Sequence, residues 1–140
     1  MNDIKKELDF LKTAAENVDI SLNEESLDLF SKYTDTLLSW NKVMNLTAIT
    51  DIHDIVIKHY YDSIYPLSDK LIKDSESVID VGCGAGMPGL PLKFALSTIK
   101  LTLLDSLNKR VNFINSFLSE VKLNDVNVIC GRAEDIALKD

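Results

Sequence analysis

Residues 78–89 read VIDVGCGAGMPG and hold four of the chain's five glycines within eight positions, directly behind a short apolar run. This cluster constrains the fold more than any other stretch, because glycine accepts backbone angles and close approaches that side chains forbid. A parallel strand that ends in a glycine-rich turn and feeds a helix is where α/β sheets bind nucleotide-like ligands. Backbone N–H groups and the helix dipole are expected to point at the ligand there.

The flanking pattern supports that setting. Ser77 to Val81, Leu101 to Leu104 and Val126 to Cys130 are short apolar runs without an outward polar face, as expected for buried parallel strands. Cys130 then reads as a small apolar core residue. Between the runs, Pro88 to Leu96 and Ser106 to Val121 carry helical spacing, and Val111, Ile114, Phe117 and Leu118 should face the sheet. A proline near the first turn does no harm, since the N–H it lacks would have no partner there. The order βαβαβ predicts a doubly wound α/β domain.

Before residue 75 the periodicity is purely helical. Ile4, Leu8, Leu11 and Ala15 mark a first amphipathic helix. Ser21 with Glu24 forms a capping box for a second, whose stripe is Leu27, Phe30, Tyr33, Leu37 and Trp40. Asp51 or Asp54 should cap a third, carrying Ile55, His59, Tyr60 and Ile64 and stopped by Pro66. Leu67 to Glu76 reads as a linker. The expected domains are therefore a helical extension over 1–75 and a sheet domain over 76–140.

Composition narrows the class. With 140 residues, 46% of them hydrophobic and 26% charged, the chain can bury a core, which argues against whole-chain disorder. Cys83 and Cys130 lie far apart and form no C-x-x-C pair, so neither a metal site nor a disulfide framework is expected. No apolar run suits a signal peptide or a membrane span, and a cytoplasmic protein is expected. Residues 1–75 hold 8 Lys and 14 acidic residues, and residues 76–140 hold 7 basic and 8 acidic ones. That balance shows no basic face of the kind nucleic-acid binders usually carry.

Two cofactor classes could use the turn. From Gly84, GAGMPG satisfies G-x-G-x-x-G, with Asp105 near the distance expected for gripping ribose hydroxyls of a dinucleotide. Counted from Asp80, the same residues read D-x-G-x-G-x-G, the first motif of S-adenosylmethionine-dependent methyltransferases. The second reading fits better, because Gly82 then follows the strand directly. An NAD-dependent oxidoreductase remains the enzymatic alternative, and a non-catalytic nucleotide-binding or interaction module the other.

Five segments go further than a motif. WNKVMNLTAI (40–49), IKHYYDS (57–63), VIDVGCGAGMPGLPL, LTLLDSLNKRVNFI (101–114) and GRAED (131–135) resemble, in order and spacing, the bacterial RsmG family, also called glucose-inhibited division protein B. The resemblance covers essentially all 140 residues. It implies a Rossmann-like class I S-adenosylmethionine-dependent methyltransferase fold preceded by a helical region, here with the first three strands only. It further implies methyl transfer from S-adenosylmethionine to guanine N7 of small-subunit (16S) ribosomal RNA, free or in an assembling subunit.

The resemblance also assigns roles. Gly82 and Met87 would line the cofactor turn together with Gly84 and Gly86, and Ala133 and Glu134 would lie against the adenosine. Asp105 would hold the ribose hydroxyls, and Asp80 would sit near the amino-acid portion of the cofactor. His59, Lys109, Arg110 and Arg132 would face the site and the RNA. No catalytic side chain is expected, because guanine N7 offers a lone pair and no proton. Family members continue beyond GRAED, so this chain is expected to be a fragment with impaired activity that self-associates along an open strand edge.

Overall fold

The apolar stripe beginning at Ile4 becomes helix α1 (Asn2–Glu16), which turns Leu8, Leu11 and Ala15 inward. In a computed structural model that describes residues 2–48 and 51–137, it packs against α2 (Glu24–Asn41) and against a composite helical segment over residues 52–67. The α2 stripe lands as its spacing predicts, with Phe30, Tyr33 and Leu37 fully buried.

The cap of α2 differs from the expected box. Asn23 is the N-cap, its side chain accepting from Ser26 N at 2.8 Å and from Ser26 Oγ at 3.0 Å, while Ser21 lies exposed two residues earlier. Asparagine offers a carbonyl oxygen already in reach of the first free N–H, and it competes well with serine for this position.

The composite segment starts as expected and then departs. Asp51 caps it through Asp54 N at 3.2 Å. It runs through α3 (Ile52–Asp54), a π-helical turn (Ile55–Tyr61), α4 (Asp62–Ile64) and a 3₁₀ turn (Tyr65–Leu67). The α-helical part thus ends at Ile64, just ahead of Pro66, as expected, and only a single 3₁₀ turn follows. Pro66 sits in the first turn of the 3₁₀ stretch, where its missing N–H is tolerated.

His53 tethers this segment to α1 by a 2.7 Å contact with Glu7 Oε2, and that hydrogen bond raises the imidazole pKa above its ordinary value. A raised folded-state pKa adds stability below the unfolded pKa and loses it as pH rises through the folded value. His53 is therefore expected to give melting temperature a decline as pH rises above the ordinary imidazole value of about 6.5, set against the opposite trend from His59, whose pKa burial lowers. The decline should be smaller in His53→Gln; an unchanged slope in that variant would remove His53 as its source.

The sheet has the order β1-β2-β3, all parallel: β1 (Ser77–Val81), β2 (Lys100–Asp105) and β3 (Val126–Cys130). Val78 pairs with Leu101 and Leu101 with Val126, so these residues share one face. Helices α5 (Gly89–Ala95) and α6 (Asn108–Glu120) cover that face, and α2 packs outside them. A single core runs from Leu8 through Tyr33 and Phe94 to Phe117, continuous across residue 75.

The opposite face is open at the two outer strands, contrary to the expectation of strands buried on both sides, while Leu104 of β2 between them is buried. Ile79 and Val81 of β1 are 58% and 56% exposed, and Ile129 of β3 is exposed as well. Two successive right-handed crossovers that step in one direction put both helices on the same side of a sheet. Covering the other face takes a chain reversal, which three strands in this order do not contain. Cys130 departs from expectation for another reason: it shares the covered face with Val126 and Val128 but ends the outer strand β3, and it is exposed rather than core, with its Sγ 3.1 Å from Asn108 Oδ1 at the start of α6.

Lys93 was not singled out by its sequence context. It is almost fully buried on α5, where its Nζ donates to Ser97 O and Ile99 O, both at 2.6 Å. Burial lowers its pKa, and these carbonyls at the exit of the helix are its compensation. Among the described residues, no helix is long and apolar enough to cross a membrane.

Candidate cofactor site

β1 ends at Val81 and the chain turns sharply. Gly82 and Gly84 adopt φ of +69° and +59°, left-handed values that other residues rarely hold. A Cβ built at either position meets nothing within 4 Å, so the turn leaves open space on this side. Gly89 serves a different purpose: a Cβ there would stand 2.6 Å from Leu103 Cδ2, so glycine lets α5 press onto β2.

The amides of the turn do not point outward as expected. Gly82 N and Cys83 N donate to Leu104 O at 2.8 and 3.1 Å, and Gly84 N donates to Asp105 Oδ2 at 2.8 Å. Gly86 N and Met87 N both donate to Cys83 O, and Gly89 N donates to Asp80 Oδ2 at 2.9 Å. Helix α5 has seven residues and adds little dipole. A pyrophosphate needs a cradle of free N–H groups, and this turn has committed these six to its own fold. An uncharged adenosine edge and a sulfonium need no such cradle. The geometry therefore favours the methyltransferase reading of the glycines over the dinucleotide one.

Asp105 organises the site. It is 3% exposed at the end of β2; Oδ2 takes Gly84 N and Oδ1 takes Leu107 N at 2.9 Å. Arg110 Nη1 lies 3.5 Å from Oδ2. The carboxylate thus ties the glycine turn to the start of α6, and one guanidinium balances it. Gly131 N donates to Asp105 O, which brings the turn after β3 to the same place.

These turns border a cleft of about 380 Å³ at the carboxyl ends of the three strands. Of the residues expected at the site, Gly82, Asp105, Arg110, Arg132, Ala133 and Glu134 line it, the last two from α7 (Ala133–Ala137). The others lie elsewhere. Gly84, Gly86 and Met87 belong to the turn without bordering the cleft, and Lys109 is exposed on the first turn of α6. Asp80 aims its carboxylate at Gly89 N and borders a separate groove with Asp62 and Ser63. Burial raises the Asp80 pKa. Cys83 is buried beneath the turn, and burial, then Asp80 and Asp105, push its thiol up to about 12, so it stays protonated.

His59 sits in the π-helical turn, away from the cleft. Its Nε2 is 3.1 Å from Thr47 Oγ1, and Thr47 N donates to Asn41 Oδ1 at 2.9 Å. Burial lowers the His59 pKa, which favours the neutral ring.

The family model described as rRNA small subunit methyltransferase G matches residues 26–140. The chain belongs to this family. Among curated relatives, the ribosomal RNA small subunit methyltransferase G of Clostridium kluyveri is 48% identical over 131 residues, which cover 94% of this chain and 55% of the relative. The protein of the same name from Alkaliphilus oremlandii is 48% identical over 91% of this chain and 54% of its own length. The Lactococcus lactis protein of that name is 43% identical over 91% and 53%. The chain spans about half the length of the curated relatives it matches. Its three-stranded parallel sheet preceded by helices is a partial Rossmann-like methyltransferase fold.

Proposed function

We propose that this chain is the cofactor-binding portion of a cytoplasmic enzyme that methylates guanine N7 of small-subunit ribosomal RNA with S-adenosylmethionine. Residues 1–75 act as its helical extension, and residues 76–140 as the first half of the methyltransferase domain. The observation that carries this reading is the convergence of Gly82, Asp105 and Glu134 on one cleft beside a turn whose amides are already satisfied. The relatives' names support the same substrate class.

When bound, S-adenosylmethionine supplies an electrophilic methyl group. The chain's part is to bind and orient. The open side of Gly82 admits the cofactor, and Asp105 and Glu134 at the cleft offer acceptors to ribose and adenosine. Arg132 and Lys109 are exposed cations suited to phosphate contacts, with Arg110 half-shared with Asp105. A small basic patch can suffice on an acidic protein when RNA shape does the rest. No general base is required for an N7 lone pair, and the protonated Cys83 is no nucleophile. In-line positioning can contribute about 7–11 kcal/mol to such a transfer. The uncovered Ile79 and Val81 also give the isolated chain a surface for self-association.

Calorimetric titration tests the reading. The chain is expected to take up S-adenosylmethionine and to ignore NAD. In Gly82→Val, a β-branched side chain would strain a left-handed position and enter the cleft, so affinity should fall at least tenfold with helical content unchanged. Preference for NAD, or full affinity in Gly82→Val, would overturn the assignment.

A further inference from the structure

The helical layer reaches into the glycine turn at one point. Tyr33 of α2 is fully buried and donates its hydroxyl to Ala85 O at 2.5 Å, across 52 residues of sequence. Four aromatic rings fix the phenol: Tyr60, Phe94, Phe113 and Phe117 lie edge-on to it at 5.3–6.1 Å. Burial also raises its pKa well above the ordinary tyrosine value, so the hydroxyl remains a donor.

The peptide unit it holds is one that can rotate. That peptide joins Ala85 to Gly86, which stands at positive φ, and a plane bounded by a glycine has alternative orientations open to it. The Ala85 carbonyl and the Gly86 N–H belong to the same plane. The carbonyl is bound by Tyr33 and the N–H by Cys83 O at 2.9 Å. Rotation of the plane would break both bonds and leave Ala85 O buried without a donor, since Ala85 is 6% exposed.

We propose that Tyr33 is a positioning residue for the cofactor turn: by donating to Ala85 O it locks the Ala85–Gly86 peptide and holds the turn in the shape that lets Gly82 admit the ligand. The helical region is thereby part of the cofactor site without touching the cofactor. The binding half of this inference rests on the proposed function, and the orientation half stands without it.

Tyr33→Phe keeps the ring and removes the donor. Two readouts separate the claims: amide hydrogen exchange across residues 82–87 in the free chain, and calorimetric titration with S-adenosylmethionine. Tyr33→Phe is expected to exchange at least fivefold faster in the turn, with Leu103 and Leu104 unchanged, and to bind S-adenosylmethionine at least threefold more weakly. Thr34→Val serves as the control. It removes a buried hydroxyl of the same helix that contacts Phe30 O and Tyr60 but not the turn, so it should lower stability and leave both readouts within twofold. Unchanged turn exchange in Tyr33→Phe, or accelerated exchange with affinity within twofold of the parent, overturns the inference. If the parent binds no S-adenosylmethionine while Tyr33→Phe accelerates exchange, the functional reading fails and the orienting role of Tyr33 stands.

Discussion

Asp105→Ala is expected to weaken S-adenosylmethionine binding at least tenfold and to lower the stability of the chain by about 3 kcal/mol or more. The reason is the number of groups that depend on one carboxylate. It accepts from Gly84 N and Leu107 N within 3 Å and faces Arg110 at 3.5 Å, while almost entirely removed from solvent. Hydrogen bonds to a charged group contribute about 1.5–3 kcal/mol each, and alanine would leave two N–H donors without their acceptor. Asp105→Asn should fall between parent and alanine, because its amide offers one acceptor oxygen and turns an NH₂ toward the other donor. Calorimetry and urea denaturation read the two effects. An alanine variant with parental affinity and midpoint would show that the carboxylate neither holds the turn nor serves the cofactor.

Phe94→Ala should be strongly destabilising. Phe94 lies on α5 where that helix meets α2 and α6, with Phe30 at 5.1 Å, Tyr33 at 5.8 Å and Phe117 at 5.7 Å between ring centroids. Phenylalanine-to-alanine changes in a core cost about 3–5 kcal/mol, from lost transfer energy and the cavity left behind. Three tilted or edge-on ring contacts add to that. Against a total stability on the order of 5–15 kcal/mol, such a loss would leave the chain largely unfolded in mild urea. Leu71→Ala, at a side chain 69% exposed, should shift the midpoint hardly at all. Equal midpoints for the two variants would show that the helical layer and the sheet do not share the core described here.

The element pattern was legible because each element is a local event. Helices α1 and α2 announce themselves through apolar spacing, and the three strands through short apolar runs between turn signals. The meeting of Gly82, Asp105 and Glu134 at one cleft was legible as well, since a glycine-rich turn behind a strand admits few settings. Details resting on competition among nearby groups were not. Ser21 and Asn23 are both acceptable caps, and only the start of the first helical turn chooses between them. The π-helical turn leaves no composition signal, because Ile55–Tyr61 has the apolar spacing of an ordinary helix.

By itself, then, the amino-acid order determined the βαβαβ succession, the helical lead and the position of the turn, all of which follow from periodicities of a few residues. Tertiary structure decided what those elements face. Ile79 and Val81 look like core in a strand and are exposed because crossover handedness puts both covering helices on the other face, while Cys130 is exposed because it ends the outer strand β3. The glycine amides look available to a ligand and are spent on Leu104, Asp105, Cys83 and Asp80, because the turn folds back over the ends of β1 and β2. Tyr33 is indistinguishable in sequence from any other aromatic of an amphipathic stripe. Only packing three layers together brings its hydroxyl to Ala85, where a buried carbonyl must find a donor.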